Sequence, residues 1–563
     1  MPSRNAIYAA TLIEALRRCG VQHACVTPGS RSTPLALALA DSPITDWSHH
    51  DERASAFFAL GIARTTGRPV IVVTTSGTAA AELHPALVEA RHGRVPLIAI
   101  TADRPFELRD VGAPQTIDQQ DLFGRSVKWS HDIEVPDPAV GGPESVAALA
   151  ARLVAEATAI PAGPVHLNLR FREPLLPPGP IPPPQVSVPR VIAGTQLAAP
   201  EVITEVAGLI SGRRGLVLAG PQDDPAAASA AAALAAAAGW PILADPLSGL
   251  RRGVHDLSHV LAASDALGWA GTIEESTPEV VVRFGAIPTS KPVSQWLERH
   301  RTIAQILVDP AGWRDPTASA ALLVRADPAA TLAALSNEIG AAAEAGWMAR
   351  WHQADTAAAT ALHRFLDDAP FPNEPTVARS VADAVTAGGT LWVASSMPVR
   401  DLDTVLRPDP RPLTVRANRG ANGIDGFIST VLGAAAAAAS APTVALAGDL
   451  SVLHDIGALA TAGRLGIPAT IVAIDNDGGG IFHLLPQAGH PHFERHWGTP
   501  HGLDLAKVAE SLGVTAEVVT TRQRLETLVA QPTAQPRFIE IKTDRATNAE
   551  FHREMRQVVA AAL

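Results

Sequence analysis

Between Val70 and Ile100 the chain alternates two kinds of apolar segment. Val70 to Thr74 (VIVVT) and Pro96 to Ile100 (PLIAI) are short apolar runs, the pattern of strands buried on both faces. Thr78 to Arg91 between them reads as a helix, and Arg53 to Arg64 before them carries its apolar residues on one helical face. His23 to Val26, ahead of Pro28-Gly29, predicts a short strand, and Thr33 to Asp41 a helix. The strand pattern returns at Gly215 to Ala219 and Val280 to Phe284. It recurs at Thr390 to Ala394, Thr443 to Ala447, Thr470 to Ile474 and Phe538 to Ile541. Buried strands alternating with helices predict an α/β fold of doubly wound parallel sheets.

Two interruptions divide this pattern. Residues 174–189 (PLLPPGPIPPPQVSVP) are too rich in proline for hydrogen-bonded structure and suit a stiff connector. A looser break falls at 363–376 (HRFLDDAPFPNEPT). The expected domains are therefore 1–180, 190–362 and 377–563. No short tandem repeat is present, but three α/β units of similar size form a coarse one.

Composition narrows the class. The 563 residues are 47% hydrophobic and 18% charged, as in ordinary globular proteins with large cores. A formal net charge of −11 argues against nucleic acid and anionic membranes as partners. The basic residues are mostly arginine; lysine occurs only at Lys128, Lys291, Lys507 and Lys542. Arginine grips carboxylates in a bidentate fork, so arginines at strand ends of an acidic protein suit small dianions; codon bias in a GC-rich genome gives the same count. Cys19 and Cys25 read as small buried apolar residues. Arg17-Arg18 follows the mildly apolar start without a cleavage site, and the alanine-rich run 226–238 is too weakly apolar to span a membrane. A cytoplasmic protein without a membrane span is the expectation.

The chemistry gathers at strand ends. A strand runs into Gly448-Asp449-Leu450-Ser451, and 27 positions beyond Asp449 a second strand ends at Asp475-Asn476, before Gly478, Gly479 and Gly480. Open α/β sheets bind ligands at the carboxyl ends of their strands. Asp449, the Asn476 amide oxygen and the Gly478 carbonyl supply three of the six oxygens that Mg²⁺ wants; two diphosphate oxygens and a water would complete the set. Ordinary strand-end turns use the same residue types.

His49-His50-Asp51-Glu52-Arg53-Ala54 stands just before a helix, where acidic residues also serve as caps. A third, scattered set follows predicted strands: Ser30, Arg31 and Ser32; Arg104; Ser395, Ser396 and Arg400; and Arg419. Such turns collect anions because helix N–H groups and arginines converge there; solvated surface arginine is the plainer alternative.

Seven segments together resemble the 2-succinyl-5-enolpyruvyl-6-hydroxy-3-cyclohexene-1-carboxylate synthase family of menaquinone biosynthesis, which are thiamine-diphosphate enzymes. They are PGSRSTPLALAL (28–39), HHDERASAFFALGIAR (49–64), TSGTAAAELHPALVEA (75–90), TADRPFELRDVGAPQTIDQQDLF (101–123), NRGANGIDGFIST (418–430), GDLSVLHD (448–455) and NDGGGIFHLLP (476–486). The resemblance covers nearly the whole chain. It implies a pyrimidine-binding N-terminal domain, a middle domain without flavin and a diphosphate-binding C-terminal domain. It also implies a homodimer or homotetramer with active sites between subunits, and the cofactors thiamine diphosphate and Mg²⁺ (or Mn²⁺). The implied reaction decarboxylates 2-oxoglutarate and adds the remainder in a 1,4 sense to isochorismate.

The resemblance implies roles residue by residue. Glu52 matches the glutamate that activates the cofactor through its aminopyrimidine, and Gln119 a polar residue near the reacting centre. Asp449, Asn476 and Gly478 match the metal ligands. Ser395, Gly448, Leu450, Ser451 and Gly479 fall in the cofactor-binding loops. Ile424 matches the apolar wedge under the cofactor, and Ile481 and Phe482 the wall beside it. Ser396 and Arg400 match the grip on the 2-oxoglutarate-derived part. Ser30, Arg31, Ser32, Arg104 and Arg419 are implied for the remaining carboxylates, with Lys291 as a further substrate contact. Asp475 departs from members that carry asparagine, and Lys291 is the one basic residue where some relatives carry two. Arg94 and Arg283 are candidates for the arginines through which some members are feedback-inhibited. Another thiamine-dependent decarboxylase or carboligase, and an inactive binding relative, are the alternatives.

Overall fold

The computed structural model describes residues 3–137, 142–179, 181, 184–438 and 441–563. Residues 180, 182 and 183 of the proline-rich connector lie outside them. Three parallel sheets carry the fold. The N-terminal sheet holds β1 (His23–Val26), β2 (Thr45–Ser48), β3 (Val70–Thr74), β4 (Leu97–Asp103), β5 (Trp129–Ile133) and β6 (Val165–Arg170), in the order β2-β1-β3-β4-β6-β5. The middle sheet holds β7 (Gly215–Ala219), β8 (Ile242–Ala244), β9 (Val280–Phe284), β10 (Ala304–Val308) and β11 (Leu322–Val324), in the order β11-β10-β9-β7-β8. The C-terminal sheet holds β12 (Thr390–Val393), β13 (Thr414–Arg416), β14 (Thr443–Gly448), β15 (Thr470–Asp475), β16 (Thr515–Val518) and β17 (Arg537–Lys542), in the order β13-β12-β14-β15-β17-β16.

The first and last sheets share one topology, strand for strand. In each, the winding direction reverses between the first and third strands: β1 and β3 in one, β12 and β14 in the other. The crevice outside the strand ends at such a reversal is where doubly wound sheets hold ligands. The central strands β3, β4, β9, β14 and β15 are apolar and buried along nearly their whole length, as a sheet covered on both faces requires.

The expected helix over 78–91 is two pieces, Thr78–Ala81 and His84–Gly93. Pro85 lacks an N–H and its ring would meet the Ala81 carbonyl, so a continuous helix is interrupted there. The expected 363–376 break is shorter: the helix Ala345–Asp368 runs into it and the next begins at Glu374, leaving 369–373 between them; the first helix packs on the C-terminal helix Arg545–Ala562. Among the described residues, no helix is long and apolar enough to cross a membrane.

The outer sheets meet through the helices Glu52–Thr66 and Phe427–Ala437. Phe57 and Phe58 join Trp392, Phe427 and Val431 in one buried apolar cluster. The backbones approach so closely that a Cβ on Gly61 would overlap the Thr430 carbonyl, and one on Gly433 would overlap the Phe58 carbonyl.

Candidate active site

The loops at the C-terminal reversal hold the metal-type residues. Asp449 begins a short helix directly after β14 and is buried. Its Oδ1 accepts the Leu450 N–H at 2.6 Å; its Oδ2 accepts the N–H groups of Asn476 at 3.1 Å and Gly478 at 2.8 Å. One carboxylate thus folds the β15 loop around itself. Gly478 has φ 134°, and a Cβ there would overlap the Gly498 carbonyl; one on Gly479 would overlap that of Trp497. Only glycine allows this double layer of backbone.

The Asn476 side chain is oriented by its amine end. Its Nδ2 donates to Glu374 at 2.8 Å, while its Oδ1 is buried and accepts nothing. A buried amide oxygen without a donor is costly unless a ligand satisfies it. A Cβ on Gly448 would meet nothing within 4 Å, so space lies open beside the Asp449 carboxylate. An orphaned hard oxygen, a carboxylate and open glycine backbone fit a divalent cation and a diphosphate. Ser451 is buried in the same turn as the half-buried Leu450.

Sequence reasoning missed the groups behind this loop. His501 Nε2 lies 3.3 Å from Asp449 Oδ2 and 3.4 Å from Asp475 Oδ1, and Asp477 accepts the N–H groups of His501 and Gly502 at 2.8 Å each. Burial raises the carboxyls of Asp475 and Glu540, and the charge of Asp449 raises the first further and that of Asp475 the second. Glu374 is pushed up to about 7 by burial and by the charge of Asp401, which lies 3.0 Å from the His552 ring. Each partner is remote in sequence, so no local spacing announces it.

Glu52 opens the helix Glu52–Thr66, whose N-terminus is capped by Asp51 accepting from Ala54 N–H at 2.9 Å. Its carboxylate makes no hydrogen bond or ion pair among the described residues and so remains free for a ligand. The preceding His49 is buried edge-on against Phe58, and burial lowers it to about 4. Gln119 is fully buried. Its Oε1 accepts Gly77 N–H at 2.9 Å, and its Nε2 donates to Ala102 O and Asn168 Oδ1 at 3.2 and 3.0 Å. With both amide hydrogens used, it reaches the site through the Ser76-Gly77 turn.

The basic set divides in two. Arg31 is buried and donates to the Phe171 carbonyl at 2.9 Å, and Ser32 Oγ donates to Gly29 O at 3.0 Å, so both shape their loop. Ser30 is exposed beside them, and Arg104 donates to Gln115 O at 2.7 Å; partial burial lowers Arg104, and the charge of Arg31 lowers it further. Ser395 and Ser396 follow β12; Ser396 takes φ 74°, a strained conformation for serine, and Arg400 donates back to its carbonyl. Partial desolvation lowers Arg400 and Arg419, and the charge of Arg400 lowers Arg419 further, so the two cations share one neighbourhood. Lys291 is exposed at the start of the helix Lys291–Arg299, behind its cap Ser290. Ile424, Ile481 and Phe482 are half-buried and offer apolar surface. Arg94 pairs with Asp309 at 2.9 Å and Arg283 with Asp315, so both guanidiniums are engaged.

A cavity of about 700 Å³ opens between the three units, with Arg64, Arg94, Arg314, Arg419, Asp223 and Asp309 on its walls. A wider recess of about 960 Å³ lies along the helices Ala345–Asp368 and Arg545–Ala562, away from the glycine loops.

The N-terminal TPP-binding domain of thiamine pyrophosphate enzymes matches residues 8–122, their middle domain residues 200–393, and their C-terminal TPP-binding domain residues 408–541. Benzoylformate decarboxylase from Polynucleobacter necessarius shares the fold with a TM-score of 0.71 at 17% identity, over 97% of this chain and 99% of that one. The 2-succinyl-5-enolpyruvyl-6-hydroxy-3-cyclohexene-1-carboxylate synthase of Geobacillus kaustophilus is 44% identical over 100% of this chain and 99% of its own. That of Chloroflexus aurantiacus is 44% identical over 99% and 96%, and that of Haloarcula marismortui 41% over 100% and 99%. With motifs, fold and full-length identity in agreement, this chain belongs to the 2-succinyl-5-enolpyruvyl-6-hydroxy-3-cyclohexene-1-carboxylate synthase family of thiamine pyrophosphate enzymes.

Proposed function

We propose that this chain decarboxylates 2-oxoglutarate and adds the remaining four-carbon unit 1,4 to isochorismate, as a step of menaquinone biosynthesis. The observation that carries this reading is the 44% identity, over 100% of this chain, to a synthase of that name; Arg400 and Arg419, near enough for one charge to lower the other, suit its substrates on a chain whose net charge is −11. Two dianionic substrates need concentrated cations, and these are desolvated ones. Thiamine diphosphate, when bound, supplies the nucleophilic carbon and the electron sink.

The chain's own groups divide the rest of the work. Glu52 would donate a hydrogen bond to the ring nitrogen N1′ of the cofactor's aminopyrimidine and so favour its imino tautomer. Asp449, the Asn476 oxygen and the Gly478 carbonyl would hold Mg²⁺ or Mn²⁺, which would neutralise the diphosphate. Gly448, Leu450, Ser451 and Gly479 offer backbone to that diphosphate, with Ser395 beside it. Ile424, Ile481 and Phe482 exclude water from the reacting carbon. Ser396, Arg400 and Lys291 grip the 2-oxoglutarate part; Ser30, Arg104 and Arg419 take the isochorismate carboxylates. Arg31, Ser32 and Gln119 act on their own loops. The working form is a homodimer or homotetramer in the cytoplasm, with domains at 1–180, 190–362 and 377–563.

Single-turnover product analysis with thiamine diphosphate, Mg²⁺ and both substrates tests the reading. The expected result is CO₂ release with a succinylated cyclohexene adduct. CO₂ without adduct refutes the acceptor, and no CO₂ from 2-oxoglutarate with bound cofactor refutes the donor.

A further inference from the structure

One carboxylate joins two helices that each carry a candidate substrate cation. Asp265 lies in the first turn of the helix Ser264–Trp269, on the middle unit. Its Oδ1 accepts the Ser290 hydroxyl at 2.7 Å. Its Oδ2 accepts the Thr404 hydroxyl at 2.9 Å and the Trp269 indole N–H at 3.2 Å. Ser290 caps the helix that begins at Lys291. Thr404 stands one turn beyond Arg400 on the helix Met397–Val405, and its hydroxyl also lies 3.1 Å from the Arg400 carbonyl. Ser290 and Thr404 are both buried, so their hydroxyls need an acceptor inside the protein. The charge of Asp265 also supports the Arg400 cation, together with Asp401 and Asp403.

A different contact already docks the two units. Arg251, buried, pairs with Asp403 at 2.6 Å and donates to the carbonyls of Asp403 and Leu406. That grip holds the far end of the Arg400 helix. Asp265 grips the same last turn through Thr404, whose hydroxyl also reaches the Arg400 carbonyl.

We propose that Asp265 is a positioning residue for the 2-oxoglutarate site, fixing the spacing between Lys291 of the middle unit and Arg400 of the C-terminal unit. The inference rests on the assignment of those two cations to substrate carboxylates. A planar carboxylate gives one oxygen to each helix, whereas an amide offers a single acceptor. Substrate that bridges two helices is held by their separation as much as by their charge.

The test measures KM for each substrate and kcat in Asp265→Ala, Asp265→Asn, Arg400→Ala and Lys291→Ala, with melting curves to confirm folding. Asp265→Ala is also combined with the Arg400→Ala Lys291→Ala pair. Asp265→Ala is expected to raise KM for 2-oxoglutarate about tenfold, with kcat and the isochorismate KM within about twofold. Asp265→Asn should give a smaller rise, roughly threefold, because one acceptor survives. Added to the pair lacking both cations, Asp265→Ala should change KM by less than about twofold, since it acts through them. Equal rises in both KM values, or a further tenfold rise on that pair, would make Asp265 a support of the fold and overturn the proposal. An unchanged KM in Asp265→Ala, with a raised one in Arg400→Ala, overturns it and leaves the proposed function standing. An unchanged 2-oxoglutarate KM in both Arg400→Ala and Lys291→Ala overturns the carboxylate assignment and this inference with it. Should Asp265→Ala not fold, Ser290→Ala and Thr404→Val each cut one arm and are read by the same rule.

Discussion

Glu89 of the N-terminal unit accepts the backbone N–H of Gly420 in the C-terminal unit at 2.8 Å, across 331 positions of sequence. Its other oxygen accepts Ala421 N–H at 2.6 Å. A Cβ on Gly420 would overlap the Glu89 backbone, so the contact needs glycine. Burial raises the Glu89 carboxyl while the two amides lower it, and the loop so held carries Arg419 and Ile424.

Glu89→Gln replaces one acceptor by an N–H₂ group facing an amide N–H. The expected cost is about 1–3 kcal/mol, because a buried donor loses its partner. Calorimetric melting should show a lower transition, and the isochorismate KM should rise through Arg419. A wild-type melt with wild-type KM refutes the clamp.

Glu52→Gln should leave the fold and cofactor affinity intact and lose most turnover, on the order of 10² or more as for other proton-handling groups. Circular dichroism checks the fold and stopped-flow decarboxylation the rate. Wild-type-like turnover would sink the role.

Asp449→Ala removes a proposed metal ligand and the acceptor of three backbone N–H groups. Asn476→Ala removes a proposed ligand and one side-chain hydrogen bond, to Glu374, but no backbone contact. Titration calorimetry should show metal-dependent cofactor binding lost in the first and weakened about tenfold or more in the second. Unchanged affinity in Asn476→Ala means its orphaned oxygen is not a ligand.

Gly61→Ala drives a methyl group into the Thr430 carbonyl. Overpacking of this kind costs about 1–3 kcal/mol, and more where backbone must shift. The measured melting temperature should fall and cofactor affinity with it; an unchanged melt means the two helices slide freely.

Asp455 supplies a pH dependence. It accepts Ser429 N–H at 2.6 Å and the Ser429 hydroxyl at 3.0 Å, and burial raises it from 3.8 to about 6. Between those values the folded state keeps a proton that the unfolded state releases. Stability therefore falls as pH rises across this window, by on the order of 3 kcal/mol, and levels off above it. Asp455→Asn removes the charge, keeps an acceptor for the Ser429 N–H and turns an N–H₂ donor toward the Ser429 hydroxyl. Denaturant titrations should show the slope between about pH 4 and 6 flattened and the variant more stable at pH 7; an unaltered slope refutes the assignment.

Much of the candidate site is legible in the sequence because its residues sit at the ends of buried strands, where a continuous apolar run stops at a polar turn. Asp449 and Asn476 stand out that way, on strands β14 and β15. The exposed edge strands β2, β13 and β16 were missed, since Thr45–Ser48, Thr414–Arg416 and Thr515–Val518 have no apolar run. Glu89, Asp265, Glu374 and His501 were missed for another reason. Each acts on a residue far away in sequence, and nothing near it marks the partner. Gln119 and Arg31 were placed in the right loops, but which way their polar atoms turn is decided by packing.

The glycine contacts between the helices Glu52–Thr66 and Phe427–Ala437 bear on how this chain can be re-engineered. Gly61 is fitted to Thr430, Gly433 to Phe58 and Gly426 to Phe57. The first partner of each pair is matched to the second at backbone distance, so neither helix tolerates a stranger. A chimera that exchanges the first or last domain alone inherits half of this seam and should assemble poorly, whereas exchanging both together keeps the match.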